Sequence, residues 1–207
     1  MNHLSRAILV LEDGSVFNGI PLGFPGITCG ELVFNTAMTG YQEILTDPSY
    51  TQQIVNFTYP HIGNVGVNKD DAESSIGISV AGLITRELSD FTSSWRSEMS
   101  LADYLIANRT VGIAGIDTRY LTQKLRDQGA LRACIMTKNC DIKIAINHLN
   151  SFETLEGKDL ASLVSTPKTY HYVATAKDQN FPIYRVVVYD FGVKRSILKY
   201  QIGRAHV

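Results

Sequence analysis

Blocks of apolar residues, each closed by a turn signal, organise most of this chain. Residues 7–11 (AILVL) are a continuous apolar run, and Glu12-Asp13-Gly14 separates them from 15–20. The two read as strands of a hairpin with Asp-Gly at its turn. A third strand is expected over 31–35. Thr39-Gly40-Tyr41-Gln42 has the spacing of a capping box, with the Thr39 hydroxyl accepting from a first-turn amide and Gln42 reaching back. The helix it opens turns Ile44 and Leu45 to apolar contacts and stops at Asp47-Pro48, because a residue before proline avoids the helical region. Asp47-Pro48-Ser49-Tyr50 then reads as a type I turn that holds Ser49 outward. A strand over 53–59 ends at Pro60, and Gly63 and Gly66 give the next loop positive-φ freedom or room for a partner's close approach.

Past a polar, acidic loop at 70–75, the apolar and β-branched run 76–84 predicts a buried strand, and 89–98, which holds Trp95, a loop. Ser100 and Asp103 have the spacing of a second capping box, opening a short helix through Leu105. Residues 111–116 read as a strand. Asp117 caps the helix after it, Leu121 and Leu125 share one face of that helix, and Gly129 suits the left-handed residue past its end. With a strand over 131–136, this segment reads as βαβ with a right-handed crossover. Asp141 caps a further helix with an apolar stripe of Ile142, Ala145, Ile146 and Leu149. From 165 to Pro182 the composition turns polar and periodicity fades, which marks a linker. Beyond it, 185–189 is a β-forming run, Asp190-Phe191-Gly192 turns the chain, and 193–200 reads as a helix. A doubly wound α/β domain opens in this way.

Composition narrows the function class. With 207 residues, 44% hydrophobic and 19% charged, the chain is an ordinary globular one with enough length for a real core. A formal net charge of −1 gives no electrostatic case for nucleic acid or an anionic membrane. No apolar run reaches the about 18 residues of a membrane span, and MNHLSRAILVLEDG lacks the pattern of a secretory signal. Three widely spaced cysteines point to reduced thiols and a cytoplasmic setting. Metal ligation finds no support: no C-x-x-C occurs and the five histidines are scattered.

Long motifs carry a family resemblance across nearly the whole chain. They are LEDGSVFNG (11–19), GELVFNTAMTGYQEILTDPSY (30–50), TYPHIGNVGVN (58–68), GIAGIDTRYLTQKLRDQGA (112–130) and VVVYDFGVKRSIL (186–198). In this order they closely resemble the small, glutamine-handling chain of carbamoyl-phosphate synthase. The resemblance implies an α/β protein: a swivelling β/β/α domain over 1–164, a linker over 165–184, and the start of a doubly wound class I glutamine amidotransferase domain over 185–201. Residues 202–207 (IGRAHV) depart from the family pattern and, written as codons, match a sequencing adapter, so they are expected to be a non-native tail. The family's small chain hydrolyses L-glutamine and passes ammonia to a large chain, which uses ATP and magnesium to make carbamoyl phosphate for arginine and pyrimidine synthesis. No cofactor is expected in this chain, which has no P-loop.

The resemblance also places the chemistry. Hydrolysis of this type uses a cysteine nucleophile, a histidine base and an orienting glutamate, with backbone amides around the oxyanion. The family's reactive cysteine sits on a glycine-flanked strand-to-helix elbow in the second domain. Cys29 opens a strand, Cys134 lies mid-strand and Cys140 precedes a helix cap, so none has that setting and no catalytic residue is expected in this chain. Ser49 on residue chemistry alone is a turn former beside proline. The resemblance gives it a role in binding glutamine, for which a hydroxyl that both donates and accepts is suited. His61 reads as a loop hydrogen-bonder or a general base. Asp190-Phe191-Gly192 lacks every other kinase signature. Gly112-Ile113-Ala114-Gly115 falls short of a dinucleotide fingerprint. Lys194 and Arg195 at the last helix are a solvated pair or face a partner. Three functions stay open: the front part of the glutaminase subunit, a docking module that binds the large chain without catalysis, or an unrelated small-molecule-binding domain.

Overall fold

The computed structural model describes residues 6–172 and 186–204. β1 (Ala7–Leu11) and β2 (Val16–Gly23) form the expected hairpin, with Gly14 at φ +86 and Asp13 Oδ1 accepting the Ser15 amide at 2.9 Å in its turn. β3 (Ile27–Asn35) begins four residues earlier than its apolar pattern predicts. With β4 (Gln53–Phe57), β6 (Gly82–Ile84), β8 (Val111–Ala114) and β9 (Leu131–Met136), these strands make a closed barrel in the order β1-β2-β8-β6-β4-β3-β9. β3, β4, β6 and β8 run parallel to one another, whereas β1, β2 and β9 join by antiparallel pairing. Two short strands, β5 (His61–Ile62) and β7 (Glu87–Leu88), pair separately.

Strand alternation sorts the side chains into an inner and an outer layer. Ala7, Leu9, Leu11, Leu32, Ile54, Ile84, Ile113 and Ile135 fill the inside of the barrel. Leu121 and Leu125 of α3 (Thr118–Gln128) join that same cluster, so α3 plugs one mouth of the barrel instead of lying on its surface. Asn56 Nδ2 secures it by donating to the Thr118 carbonyl at 3.2 Å and the Thr122 hydroxyl at 3.0 Å. On the outside, α1 (Tyr41–Thr46) and α2 (Leu101–Ala107) cover Leu22, Val55, Phe57 and Leu83. α4 (Ile142–Ser151) covers Ile8, Val10, Cys134 and Met136. Short α5 (Ala161–Val164) follows, and α6 (Arg195–Arg204) closes the described chain.

Several expectations hold and several fail for identifiable reasons. Ser100, Asp117 and Asp141 cap their helices as their spacing predicts. The capping box at Thr39 does not form. Gly40, at φ +80, is the N-cap residue, and no side chain caps the helix. Gln42 instead bonds both the amide and the carbonyl of Asn68, pinning the loop over α1. The strand over 76–84 shrinks to Gly82–Ile84, since Gly77 at φ +93 breaks the extended run. The βαβ reading of 111–136 is wrong: β8 and β9 are not neighbours, and with α3 inserted as a plug they run antiparallel. A parallel crossover does occur earlier, from β3 through α1 to β4. Of the α4 stripe only Ala145 and Leu149 are buried, while Ile142 and Ile146 face outward. No strand forms over the described part of 185–189, because nothing pairs with it; Arg185 lies outside the described residues, as do 173–184 of the linker and 205–207 of the tail.

The plug makes a direct prediction. Leu121→Ala should cost about 2–5 kcal/mol of unfolding free energy in denaturant titration, as for a fully buried leucine. Arg126→Ala on the exposed face of the same helix should stay within about 0.5 kcal/mol.

Candidate functional site at the Ser49 turn

Residues 47–50 lie at the end of β4 opposite to α3. Asp47 ends α1 in extended conformation, φ −71 and ψ 118, as a residue before proline must. Pro48–Tyr50 then forms a single 3-10 turn, closed by the Tyr50 amide on the Asp47 carbonyl at 3.1 Å. Asp47 Oδ1 accepts the Ser49 amide at 2.9 Å, so the carboxylate caps the turn from its first position. The Tyr50 hydroxyl accepts from Asn35 Nδ2 at 2.9 Å and ties the turn to the end of β3. Ser49 itself is exposed, and its hydroxyl has no hydrogen-bond partner among the described residues. The outward serine expected from the Asp-Pro-Ser spacing is thus in place.

What the sequence did not reveal is that the C-terminal segment docks beside this turn. Lys194 Nζ lies 3.2 Å from Asp47 Oδ2, so one carboxylate caps the Ser49 turn and anchors the residue that leads into α6. Gly192, at φ +93, passes close enough that a Cβ there would stand 2.6 Å from Val164 Cγ2 and 3.2 Å from Pro48 Cβ. Only glycine fits both the conformation and the space. Glu73 completes the dock. Its carbonyl accepts the Arg195 amide at 2.9 Å and its Oε2 accepts the Ser196 amide at 2.8 Å. These are first-turn donors of α6, where an anion is favoured. The Glu73 amide donates to Thr46 Oγ1 at 2.8 Å, which joins α6 to the last turn of α1. Lys199 Nζ adds a bond to the Asp70 carbonyl at 2.7 Å, and Leu198 is buried.

The DFG triplet has a structural role. Asp190 Oδ1 accepts the Gly192 and Val193 amides at 2.9 and 2.8 Å, and Oδ2 accepts the Tyr170 hydroxyl at 2.7 Å. Burial works against its charge, but the Val193 amide, Tyr170 and the Gly192 amide together hold its carboxyl below the ordinary value. His61 Nδ1 lies 2.8 Å from Glu87 Oε2 on the β5–β7 ribbon, both side chains well exposed, and takes no part at the Ser49 turn. Lys194 pairs with Asp47, and the Arg195 amide donates to the Glu73 carbonyl. Cys29 and Cys134 lie on the barrel's outer face and Cys140 donates to the Arg6 and Met136 carbonyls. Among the described residues no imidazole is hydrogen-bonded to a thiol, and no group of three or more His, Cys, Asp or Glu could hold a metal ion. No helix among them is long and apolar enough to cross a membrane.

Asp47, Glu73, Gly192 and Lys194 were legible only as a turn former, part of an acidic loop, a turn glycine and one of a basic pair that is solvated or faces a partner. Their partners lie 120 residues or more apart in sequence, as for Ser196 and Glu73 at a separation of 123, and no local spacing announces that.

Residues 9–135 match the family model described as carbamoyl-phosphate synthase small chain, CPSase domain. The chain belongs to this family. Among relatives named carbamoyl phosphate synthase small chain, that of Thioalkalivibrio sulfidiphilus is 52% identical over 214 residues, covering 98% of this chain and 55% of the relative. Those of Photobacterium profundum and Vibrio cholerae are each 51% identical over 209 residues and cover 96% of this chain, and 54% and 55% of the relatives. The chain therefore spans about half the length of the curated relatives it matches. A solved peptidase M28 precursor from Shewanella amazonensis aligns with a TM-score of 0.34 at 9% identity, over 64% of this chain and 34% of that one, a likeness too weak to bear on fold or function.

Two predictions test the local geometry. Glu73→Ala should remove the cap on α6, worth about 1 kcal/mol, and speed hydrogen exchange of the Ser196 amide roughly fivefold while barrel amides keep their protection. The buried Tyr41 hydroxyl donates to the Gly66 carbonyl at 2.6 Å, and burial pushes its pKa up to about 12. The unfolded chain releases this proton near pH 10 or so, so the contribution is whole below that pH and is lost as pH rises through about 12. Tyr41→Phe should flatten the alkaline fall in stability measured against the parent chain.

Proposed function

We propose that this chain is the front part of the glutaminase subunit of carbamoyl-phosphate synthase, with Ser49 on the rim of the glutamine pocket. One observation carries the reading: an exposed serine hydroxyl with no partner among the described residues sits on a turn whose capping carboxylate also anchors the segment entering α6. In this reading the barrel with its helices is the family's swivelling β/β/α domain. Residues 165–184 are the linker, and 185–201 are the first strand and helix of a doubly wound class I glutamine amidotransferase domain. Support for the last point comes from Val186, Val187 and Tyr189, exposed by 70%, 87% and 83%, as befits a strand apart from its sheet.

Ser49 then reaches from outside the catalytic domain toward the amino-acid end of L-glutamine, its hydroxyl donating to the carboxylate or accepting from the ammonium group. The cysteine, histidine and glutamate that hydrolyse the amide belong to the remainder of that domain. Ammonia passes to the large subunit, which spends ATP with magnesium in the cytoplasm to make carbamoyl phosphate for arginine and pyrimidine synthesis. A second reading, a docking module that binds the large subunit without catalysis, draws on Phe91 and Trp95, exposed by 84% and 93% on one loop.

Kinetics test the Ser49 assignment. In a chain extended to the length of its relatives and paired with the large subunit, Ser49→Ala should raise KM for glutamine about tenfold or more, the worth of a hydrogen bond to a charged group, with kcat little changed. An unchanged KM would remove Ser49 from the pocket, and an extended chain that bound the large subunit without hydrolysing glutamine would favour the docking reading.

A further inference from the structure

The register of β3 against β9 sets Cys29 directly opposite Cys134. The Glu12 amide donates to the Arg132 carbonyl, and β1 pairs onward with Cys134 and Met136. Alternation along β9 therefore turns the Cys134 amide and carbonyl toward β1, away from β3. From the other end, the Thr137 amide on the Gly26 carbonyl gives the same phase, so Cys29 and Cys134 form a non-hydrogen-bonded pair. Such pairs bring Cα atoms to about 4.5 Å with side chains leaning together. A disulfide accepts Cα separations of about 4.4–6.8 Å.

Both residues are free thiols, and their surroundings differ. Cys134 is fully buried beneath α4. Cys29 is half-buried and lines an open groove of about 320 Å³ with Ile27, Thr28, His148, Ser151 and Phe152. The interaction with the Cys134 thiol holds Cys29 below its ordinary value against the effect of burial, while the same interaction and burial push Cys134 up. A reagent in the groove therefore meets the Cys29 sulfur first, while α4 encloses the Cys134 sulfur.

We propose that Cys29 and Cys134 are a redox modification site, a reversible dithiol–disulfide pair oxidised by a low-molecular-weight disulfide that enters the groove. The Cys29 thiolate attacks one sulfur of the small disulfide. The bond between its two sulfurs breaks, and the leaving thiolate takes up the proton Cys29 released. Once Cys29 is held in the mixed disulfide, Cys134 is the thiol directly across the strand pair. It loses its proton, attacks the Cys29 sulfur and expels the second small thiol, which carries that proton away. The dithiol gives up two electrons and the small disulfide takes them, yielding one protein disulfide and two small thiols. A pair of this kind fits a reducing compartment, where protein disulfides are transient.

The test exposes the folded 207-residue chain to glutathione disulfide without denaturant, quenches with acid, then unfolds the chain, alkylates the remaining thiols and maps the peptides. Of the three thiols only Cys140 should be alkylated, with Cys29 linked to Cys134 and reversal by dithiothreitol. Cys134→Ala should stop at glutathione bound to Cys29, and Cys29→Ala should take up none at Cys134. Should either variant fail to fold, the map of the parent chain decides alone. Alkylation of both Cys29 and Cys134 after exposure would overturn the proposal. So would glutathione that stays on Cys29 of the parent chain, or modification confined to Cys140.

Discussion

Closure of the sheet through β1 is the constraint on which the rest of this structure depends. β1 is paired on one edge by β2 and on the other by β9, and all five of its residues are buried. Its odd-numbered side chains enter the barrel and Ile8 and Val10 meet α4. A strand saturated on both edges and both faces has no freedom to slip, since a shift of one residue would exchange the two sets. Once β9 is fixed against β1, β3 follows by register, and β4 follows β3 through the α1 crossover. The Ser49 turn is the last link of that crossover, which is how a serine between helix and strand comes to hold a defined place on the surface.

Docking of the C-terminal segment has a different physical character from the barrel. It rests on polar groups: two carboxylates, the first-turn amides of α6 and a lysine, with Gly192 and Leu198 giving close apolar contact. Asp47 and Glu73 are each nearly enclosed, and both have hydrogen-bond partners, which is the condition for burying a carboxylate at modest cost. A few directional bonds fix position better than they add stability. The Ser49 turn and α6 share one anchor, so a change in either is felt by the other.

Elements whose signal is local were legible in the sequence. The β1–β2 hairpin came from Asp13-Gly14, the helix starts from Ser100, Asp117 and Asp141, and the Ser49 turn from Asp-Pro. The failures came where distant contacts prevailed. Gln42 had the spacing to cap its own helix, but Asn68 offered both a donor and an acceptor. Leu121 and Leu125 were recognised as one face, yet periodicity does not say whether that face covers a sheet or enters a barrel. Glu73 looked like part of a solvated acidic loop because its partner, the start of α6, is far along the chain. Ser49 was found as a turn residue from its neighbours, but its proposed ligand came from family resemblance and not from the residues alone.

On the proposed reading this polypeptide supplies a scaffold and one rim of a glutamine pocket, and the reactive thiol lies in the portion of its relatives that it does not span. Glutamate release is the direct measurement, made with glutamine and the large subunit, comparing the 207-residue chain with one extended to its relatives' full length. The account predicts turnover by the extended chain and none above background by the shorter one. Glutamate released by the 207 residues would contradict it.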